Sequence, residues 1–262
     1  KGNVATDLDS VITLTTEVIN GNGGASGLAP DYWTLFNPAV SETSPHKEVL
    51  WAAQFDINLT LDGRFGGNRS CNYHIGDYTA QTDVTRSMAY GRPFATYKPT
   101  DWAYDNFRDK VNDSRFYKTF QPEYISTGAN TSYTWSAAAA AWWNANKPAG
   151  EPTVISGSRR ITNGKRALIF LENQKDDALD SATVMSQPFQ FMARWVKSAV
   201  TGKYYYRLYI DGSSMGLATT RRNIYLSSKK LVDPSRGGST SEANFNSESG
   251  TRDAILMRLA ET

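Results

Sequence analysis

The last thirteen residues, Gly250-Thr-Arg-Asp-Ala-Ile-Leu-Met-Arg-Leu-Ala-Glu-Thr262, place the strongest constraint on the fold. Ile255, Leu256, Leu259 and Ala260 fall at i, i+1, i+4 and i+5, the spacing of one helical face. Gly250 and Thr251 suit a helix start, and Asp253 lies near the positive end of the helix dipole. No Gly, Asn or Pro stops the pattern. A free helix this short is marginal in water, so it requires an apolar partner. The pattern predicts a helix that packs on further sequence, and a chain cut within its helical scaffold.

The 262 residues are 40% hydrophobic and 21% charged, enough apolar material for a globular core. No linker or internal repeat divides them, which predicts one compact unit over 1–262. Net charge is +2, and the basic pairs Arg159-Arg160, Lys165-Arg166, Arg221-Arg222 and Lys229-Lys230 are dispersed, a pattern that disfavours nucleic-acid binding. The lone Cys71 excludes an internal disulfide and a Cys-based zinc cluster. No run approaches the length of a membrane span and no signal peptide is visible, so an exported form would have lost its targeting segment. Aromatic residues stand out, with 7 Trp, 14 Tyr and 11 Phe. They fit a large core with aromatic-lined loops, and they also fit a surface that stacks rings on flat ligands such as sugars or bases.

Along the chain, Thr6-Asp-Leu-Asp9 resembles a capping box, and Leu8, Val11, Ile12, Val18 and Ile19 follow at helical spacing until Gly21. Asp31 to Phe36 reads as a short aromatic turn. Glu48 to Phe55 predicts a strand buried on both faces. Residues 56–98 read as a long ordered loop. A second helix is predicted over Thr100 to Val111, with Trp102 and Phe107 in the core. Strands are expected at 167–171 and 203–210, and 188–196 alternates Phe189, Phe191, Ala193 and Trp195 against Gln190, Met192 and Arg194.

Catalytic signatures are sparse. His46 and His74 lack metal-ligand or base spacing and read as surface or hydrogen-bonding residues. Gly23-Gly-Ala-Ser-Gly27 lacks the strand-turn-helix setting of a nucleophile elbow. Gly63-Arg-Phe-Gly-Gly-Asn68 lacks the Lys-Ser/Thr of a phosphate loop. Asp176, Asp177 and Asp180 form an acidic cluster that reads as a solvated turn rather than a calcium site. No metal, cofactor or catalytic residue is expected.

For ligand binding, the richest stretch is Tyr133 to Asn146. Its candidate site residues are Tyr133, Trp135, Trp142, Trp143 and Asn144, where rings would stack on sugar faces and polar groups would bond hydroxyls. An Ala-rich helical turn buried by its own tryptophans fits the same residues. Arg69 and Tyr73 form a second candidate. Asp9-Ser-Val11 and Asp180-Ser-Ala182 resemble short O-glycosylation patterns of exported bacterial proteins.

Several blocks in order resemble one family. They are Asp7-Leu-Asp-Ser-Val-Ile-Thr-Leu-Thr-Thr-Glu-Val-Ile19, Tyr32-Trp-Thr-Leu-Phe36, Lys47 to Phe55, Gly66-Gly-Asn, Gly91-Arg-Pro-Phe94, Pro99-Thr-Asp-Trp102, Asn112 to Gln121, Lys229-Lys-Leu-Val-Asp-Pro-Ser-Arg236 and Arg252 to Glu261. Together they look like the SusD/RagB family. That resemblance implies a surface-exposed outer-membrane lipoprotein of Bacteroidetes, held by a lipid anchor absent from this chain. It would capture oligosaccharide or polysaccharide, without catalysis, for a SusC-like TonB-dependent transporter. The resemblance also implies a mostly α fold with short strands and long loops. Tetratricopeptide-type helices at 1–20 and 250–262 would flank a loop-rich region at 21–249, in a unit truncated at both ends. The alternatives are capture of peptide or another nutrient in the same family, or a polysaccharide-degrading enzyme or its accessory module.

Overall fold

A computed structural model of the protein describes residues 2–22, 27–32, 49–52, 73–79, 83–87, 89–128, 133–206, 223–230, 232 and 256–258. The chain forms two compact units. One is built from Lys1–Asn72, Met88–Arg92 and Lys230–Thr262, the other from Tyr73–Ser87 and Pro93–Lys229.

In the first unit, helix α1 spans Val4–Ile19. It begins at Asn3 without a side-chain cap, so the expected capping box lies inside the helix. Its end follows the sequence reading. Gly21 takes φ 85°, and the N–H groups of Asn22 and Gly21 donate to the carbonyls of Glu17 and Val18 at 2.9 and 3.0 Å, closing a Schellman motif. No α1 residue is buried. Strand β1, Val49–Ala52, lies within the strand predicted there and pairs antiparallel with Leu256–Arg258. The helix expected over 250–262 is therefore overturned at Leu256–Arg258, with Ala52 opposite Leu256 and Trp51 opposite Met257. Consecutive apolar residues fit either period, and pairing with a distant strand decides between them.

In the second unit, α2 spans Asp101–Asp105 and α3 spans Ser114–Thr119, in place of one helix over Thr100–Val111. Side chains that bond the backbone interrupt that helix. The Thr100 hydroxyl accepts from Ala103 N–H at 3.4 Å and starts α2. The Asp109 carboxylate accepts from the Val111 and Asn112 N–H groups at 3.1 and 2.9 Å and makes a turn. Asp113 then caps α3 by accepting from Arg115 N–H at 3.0 Å.

Strands β2 (Phe120–Gln121) and β3 (Glu123–Ile125) follow, then α4 (Ala137–Asn146), β4 (Arg166–Leu171), β5 (Leu179–Asp180) and α5 (Ser181–Met185). The unit continues with β6 (Gln190–Ala193), β7 (Trp195–Lys197), β8 (Tyr204–Tyr206) and β9 (Ser227–Ser228). The sheets have the orders β2-β9, β3-β4-β6 and β5-β7-β8. The mostly helical expectation is thus corrected: among the described residues the five helices are accompanied by ten short strands in four small sheets. Local caps keep α2, α3 and α5 to six residues or fewer, and short apolar runs such as Ala167–Leu171 pair as strands.

Many of this unit's aromatic residues fill its core. The Tyr78 and Tyr124 rings stack at 4.9 Å, and Phe120 packs between Tyr104 and Phe116 at 5.1 and 5.3 Å. The buried Tyr104 hydroxyl donates to the Leu226 carbonyl at 2.8 Å, so its polar end is satisfied inside. Gly76 has a local reason to lack a side chain, since a Cβ there would meet the Tyr225 carbonyl oxygen at 3.0 Å.

One segment organises the functional face. β6 runs parallel to β4, with Leu171 opposite Ala193. Two residues later the same segment is β7, paired parallel with β5 and antiparallel with β8. Arg194 is the corner between the two sheets, and its N–H still donates to the Leu171 carbonyl at 2.8 Å.

Candidate functional site

The five residues singled out in the Tyr133–Asn144 stretch do come together. Five consecutive alanines, Ala137–Ala141, favour helix strongly, Ser136 caps α4 by accepting from Ala139 N–H at 3.2 Å, and Pro148 forces Lys147 into an extended conformation. Trp135 and Trp143 are 2% and 7% exposed, their rings lie 6.1 Å apart, and they cluster with Ala139 and Ala140. The Asn144 amide is clamped to the backbone: it donates to the Val154 carbonyl and accepts from Val154 N–H, both at 2.9 Å. Tyr133 is half-buried beside the Arg160 guanidinium, which lies 5.0 Å from its ring and 4.7 Å from that of Trp135. Burial raises the Tyr133 pKa and lowers that of Arg160. Trp135, Trp143 and Asn144 therefore hold this motif together, and Trp142 and Tyr133 keep the partly exposed rings.

The other candidates separate. Tyr73 packs against Phe94 and Tyr97 at 5.7 and 5.6 Å, whereas Arg69, His46, Cys71 and the Gly63–Asn68 stretch lie outside the described residues. Asp180 is the N-cap of α5, accepting from Thr183 N–H and hydroxyl at 2.9 and 2.6 Å, and Ser181 is buried. Among the described residues, no group of three or more His, Cys, Asp or Glu is placed to hold a metal.

A second surface emerges on the sheet β5-β7-β8. Alternation along β7 and β8 turns Val196 and Tyr205 toward the cluster of Val184 and Ala193. Trp195, Lys197, Tyr204 and Tyr206 take the opposite face, where Trp195 sits across from Tyr206 and Lys197 from Tyr204. The Trp195 and Tyr206 rings are 5.2 Å apart. Asn173 fixes Trp195 by donating to its carbonyl and accepting from its N–H, each at 2.9 Å. The same amide donates to the Asp177 carbonyl at 3.0 Å, setting the turn that brings Lys175 to 5.9 Å from the Trp195 ring.

At the other end, α2 is fastened to this face by charge. Arg194, 5% exposed, donates to both Asp105 carboxylate oxygens at 2.5 and 3.0 Å and to the Tyr206 hydroxyl at 3.3 Å. The buried Glu172 carboxylate lies 3.5 Å from the same guanidinium, and that of Asp101 lies at 3.8 Å. The Tyr206 hydroxyl donates to Asp101. Burial opposes the Arg194 charge, but hydrogen bonds with Asp105 and Tyr206 outweigh it and its pKa rises. The Arg194 hydrogen bonds in turn hold the Asp105 carboxyl below its ordinary range.

This arrangement leaves Trp102 outside. Tyr104 takes the core side of α2, while the Trp102 side chain is 73% exposed, against the expectation that it lies in the core. Phe107 does pack inward, at 5.8 Å from Phe120. Asp105 stands three residues after Trp102, on a neighbouring row of the helix, and its carboxylate is 48% exposed. The same unit thus carries an open indole three residues before an ionised, oriented carboxylate, the partly exposed Trp195 ring and the 46% exposed Tyr204 ring, while the buried Tyr206 ring packs on Trp195 and ties it to Asp101 and Arg194. Held ionised, Asp105 is suited to accepting hydrogen bonds and unsuited to donating a proton.

Sequence reasoning passed over this strip because its members come from three distant segments. One local signal existed: the aromatic run Tyr204-Tyr-Tyr206 lies in the segment expected to form a strand. Comparison with models of known protein families and with curated proteins returns no match.

Proposed function

We propose that the protein is a non-catalytic glycan-binding protein that captures oligosaccharide or polysaccharide. The observation that carries this reading is the open Trp102 indole on the helix whose Asp105 carboxylate Arg194 holds, together with the partly exposed Trp195 and exposed Tyr204 rings on the sheet that begins at Arg194. Sugar rings present apolar faces to indoles and phenols, and their hydroxyls suit fixed carboxylate acceptors. The resemblance of the sequence blocks to the SusD/RagB family extends the proposal. On that basis the protein is a surface-exposed outer-membrane lipoprotein that delivers its ligand to a SusC-like TonB-dependent transporter.

Calorimetry against a panel of oligosaccharides and polysaccharides, with reducing ends assayed in parallel, tests the reading. Binding without release of reducing ends supports capture. Release of reducing ends overturns it in favour of a polysaccharide-degrading enzyme. Trp102→Ala should lower glycan affinity at least tenfold, the scale of about 1.4 kcal/mol for a lost stacking platform.

A further inference from the structure

We propose that the strip takes an acidic saccharide, with Lys175 and Lys197 as its anion-binding end. This inference rests on the glycan-capture reading and specifies the ligand. The ammonium groups of Lys175 and Lys197 lie 5.4 and 5.5 Å from the same Tyr204 ring. Two separate devices bring them there. Lys197 is the cross-strand partner of Tyr204, while Lys175 sits in the turn that Asn173 pins to Trp195. The hairpin that sets the Lys197–Tyr204 register is itself fixed, since the Ser198 hydroxyl accepts from the Val200 and Thr201 N–H groups at 3.2 and 3.1 Å.

Among the described residues, neither ammonium forms an ion pair or a hydrogen bond. Asp176 and Asp177 follow Lys175 directly, yet neither pairs with it. Two like charges near one ring repel each other, and an anion held between the ammonium groups beside the ring relieves that repulsion, leaving the electron-rich ring face to the sugar. A sugar carboxylate or sulfate fits, because the sugar can stack on Tyr204 while its charge meets both lysines. A polyphosphate backbone fits less well, because the carboxylates of Asp101 and Asp105 occupy the other end of the same strip. The polarity is therefore built in: a cationic end at Tyr204 and an anionic, hydroxyl-accepting end at Trp102.

The test is calorimetry on the full chain with four probes of matched length: an oligogalacturonate, its methyl ester, a sulfated oligosaccharide and a single-stranded oligothymidylate. The acid or the sulfated form should bind at least tenfold more tightly than the ester, and which of the two leads identifies the anion. Lys175→Ala and Lys197→Ala should each remove roughly tenfold of that preference. Lys197→Arg should restore most of it. Binding of the ester as tight as that of both the acid and the sulfated form overturns the acidic-ligand inference and leaves glycan capture standing. Tightest binding of the oligothymidylate overturns the inference in favour of nucleic acid. Binding of none of the saccharides overturns both readings.

Discussion

Arg194 and Asp105, 89 residues apart in sequence, meet as a bidentate ion pair at 2.5 and 3.0 Å. The pair fastens α2, and with it Trp102, to the corner where one strand passes between sheets. Arg194→Met leaves the buried Glu172 carboxylate facing Asp105 and Asp101 without their cation. It should cost about 3–5 kcal/mol in urea denaturation, the usual loss when one partner of a buried pair is removed. Arg194→Lys should recover little, because a point charge cannot make the fork. A midpoint for Arg194→Met equal to that of the wild type would show that the network holds nothing.

Acid should loosen the protein in a defined window. Hydrogen bonds from Arg194, Asn112 and Arg115 hold the Asp105, Asp109 and Asp113 carboxyls below 3.8. Burial pushes Asp180 upward, but bonds from Thr183 and the backbone overcome it. A carboxyl whose pKa falls on folding stabilises fully above its unfolded value, and the gain disappears as pH drops through the folded value. Unfolding free energy should therefore decline below about pH 4, and Asp105→Asn should make that decline shallower. An unchanged slope in Asp105→Asn would contradict the role of Arg194.

At the alkaline side the sign reverses. Burial, reinforced by the hydrogen bond to Asp101, pushes the Tyr206 phenol up to about 12, and burial alone does the same for Tyr225. A group raised on folding contributes stability that is whole below its ordinary value of 10.0 and is lost as pH climbs toward 12. Spectroscopic titration should show a class of phenols ionising late, diminished in Tyr206→Phe. If Tyr206→Phe leaves the curve unchanged, the Asp101 contact does not form.

The tryptophans divide by role. Trp143→Ala or Trp135→Ala empties a packed cluster and should cost about 3–5 kcal/mol. Trp102→Ala should change stability by less than about 0.5 kcal/mol, because its ring is open to solvent. Thermal denaturation of the variants separates the classes. A large loss for Trp102→Ala would mean the ring packs rather than waits for a ligand.

What could be read in the sequence tracks the range of the interactions involved. α1 was legible because the spacing of Leu8 to Ile19 and the stop at Gly21 are local. β4 covers the expected segment 167–171 and β8 falls within 203–210, and α4 answers to the Ala-rich helical turn that stood as the alternative to a binding site at Tyr133–Asn146. Leu256–Arg258 was not, because its pairing with β1 spans some two hundred residues of sequence. Trp102 was misplaced because residue type favours burial for tryptophan, whereas the helix that carries it is five residues long and buries Tyr104 instead. The candidate residues at Tyr133–Asn144 show the converse: a local concentration of rings found each other and built a small core.

The Arg194 corner also has a dynamic consequence. Because β6 and β7 are one covalent segment joined to different sheets, neither sheet can open its hydrogen bonds at that point without pulling on the other. Amide exchange at Leu168–Leu171 should then slow when ligand covers the Trp195 face, although β4 never touches it. A ligand would be sensed through a shared backbone rather than through a chain of side-chain contacts.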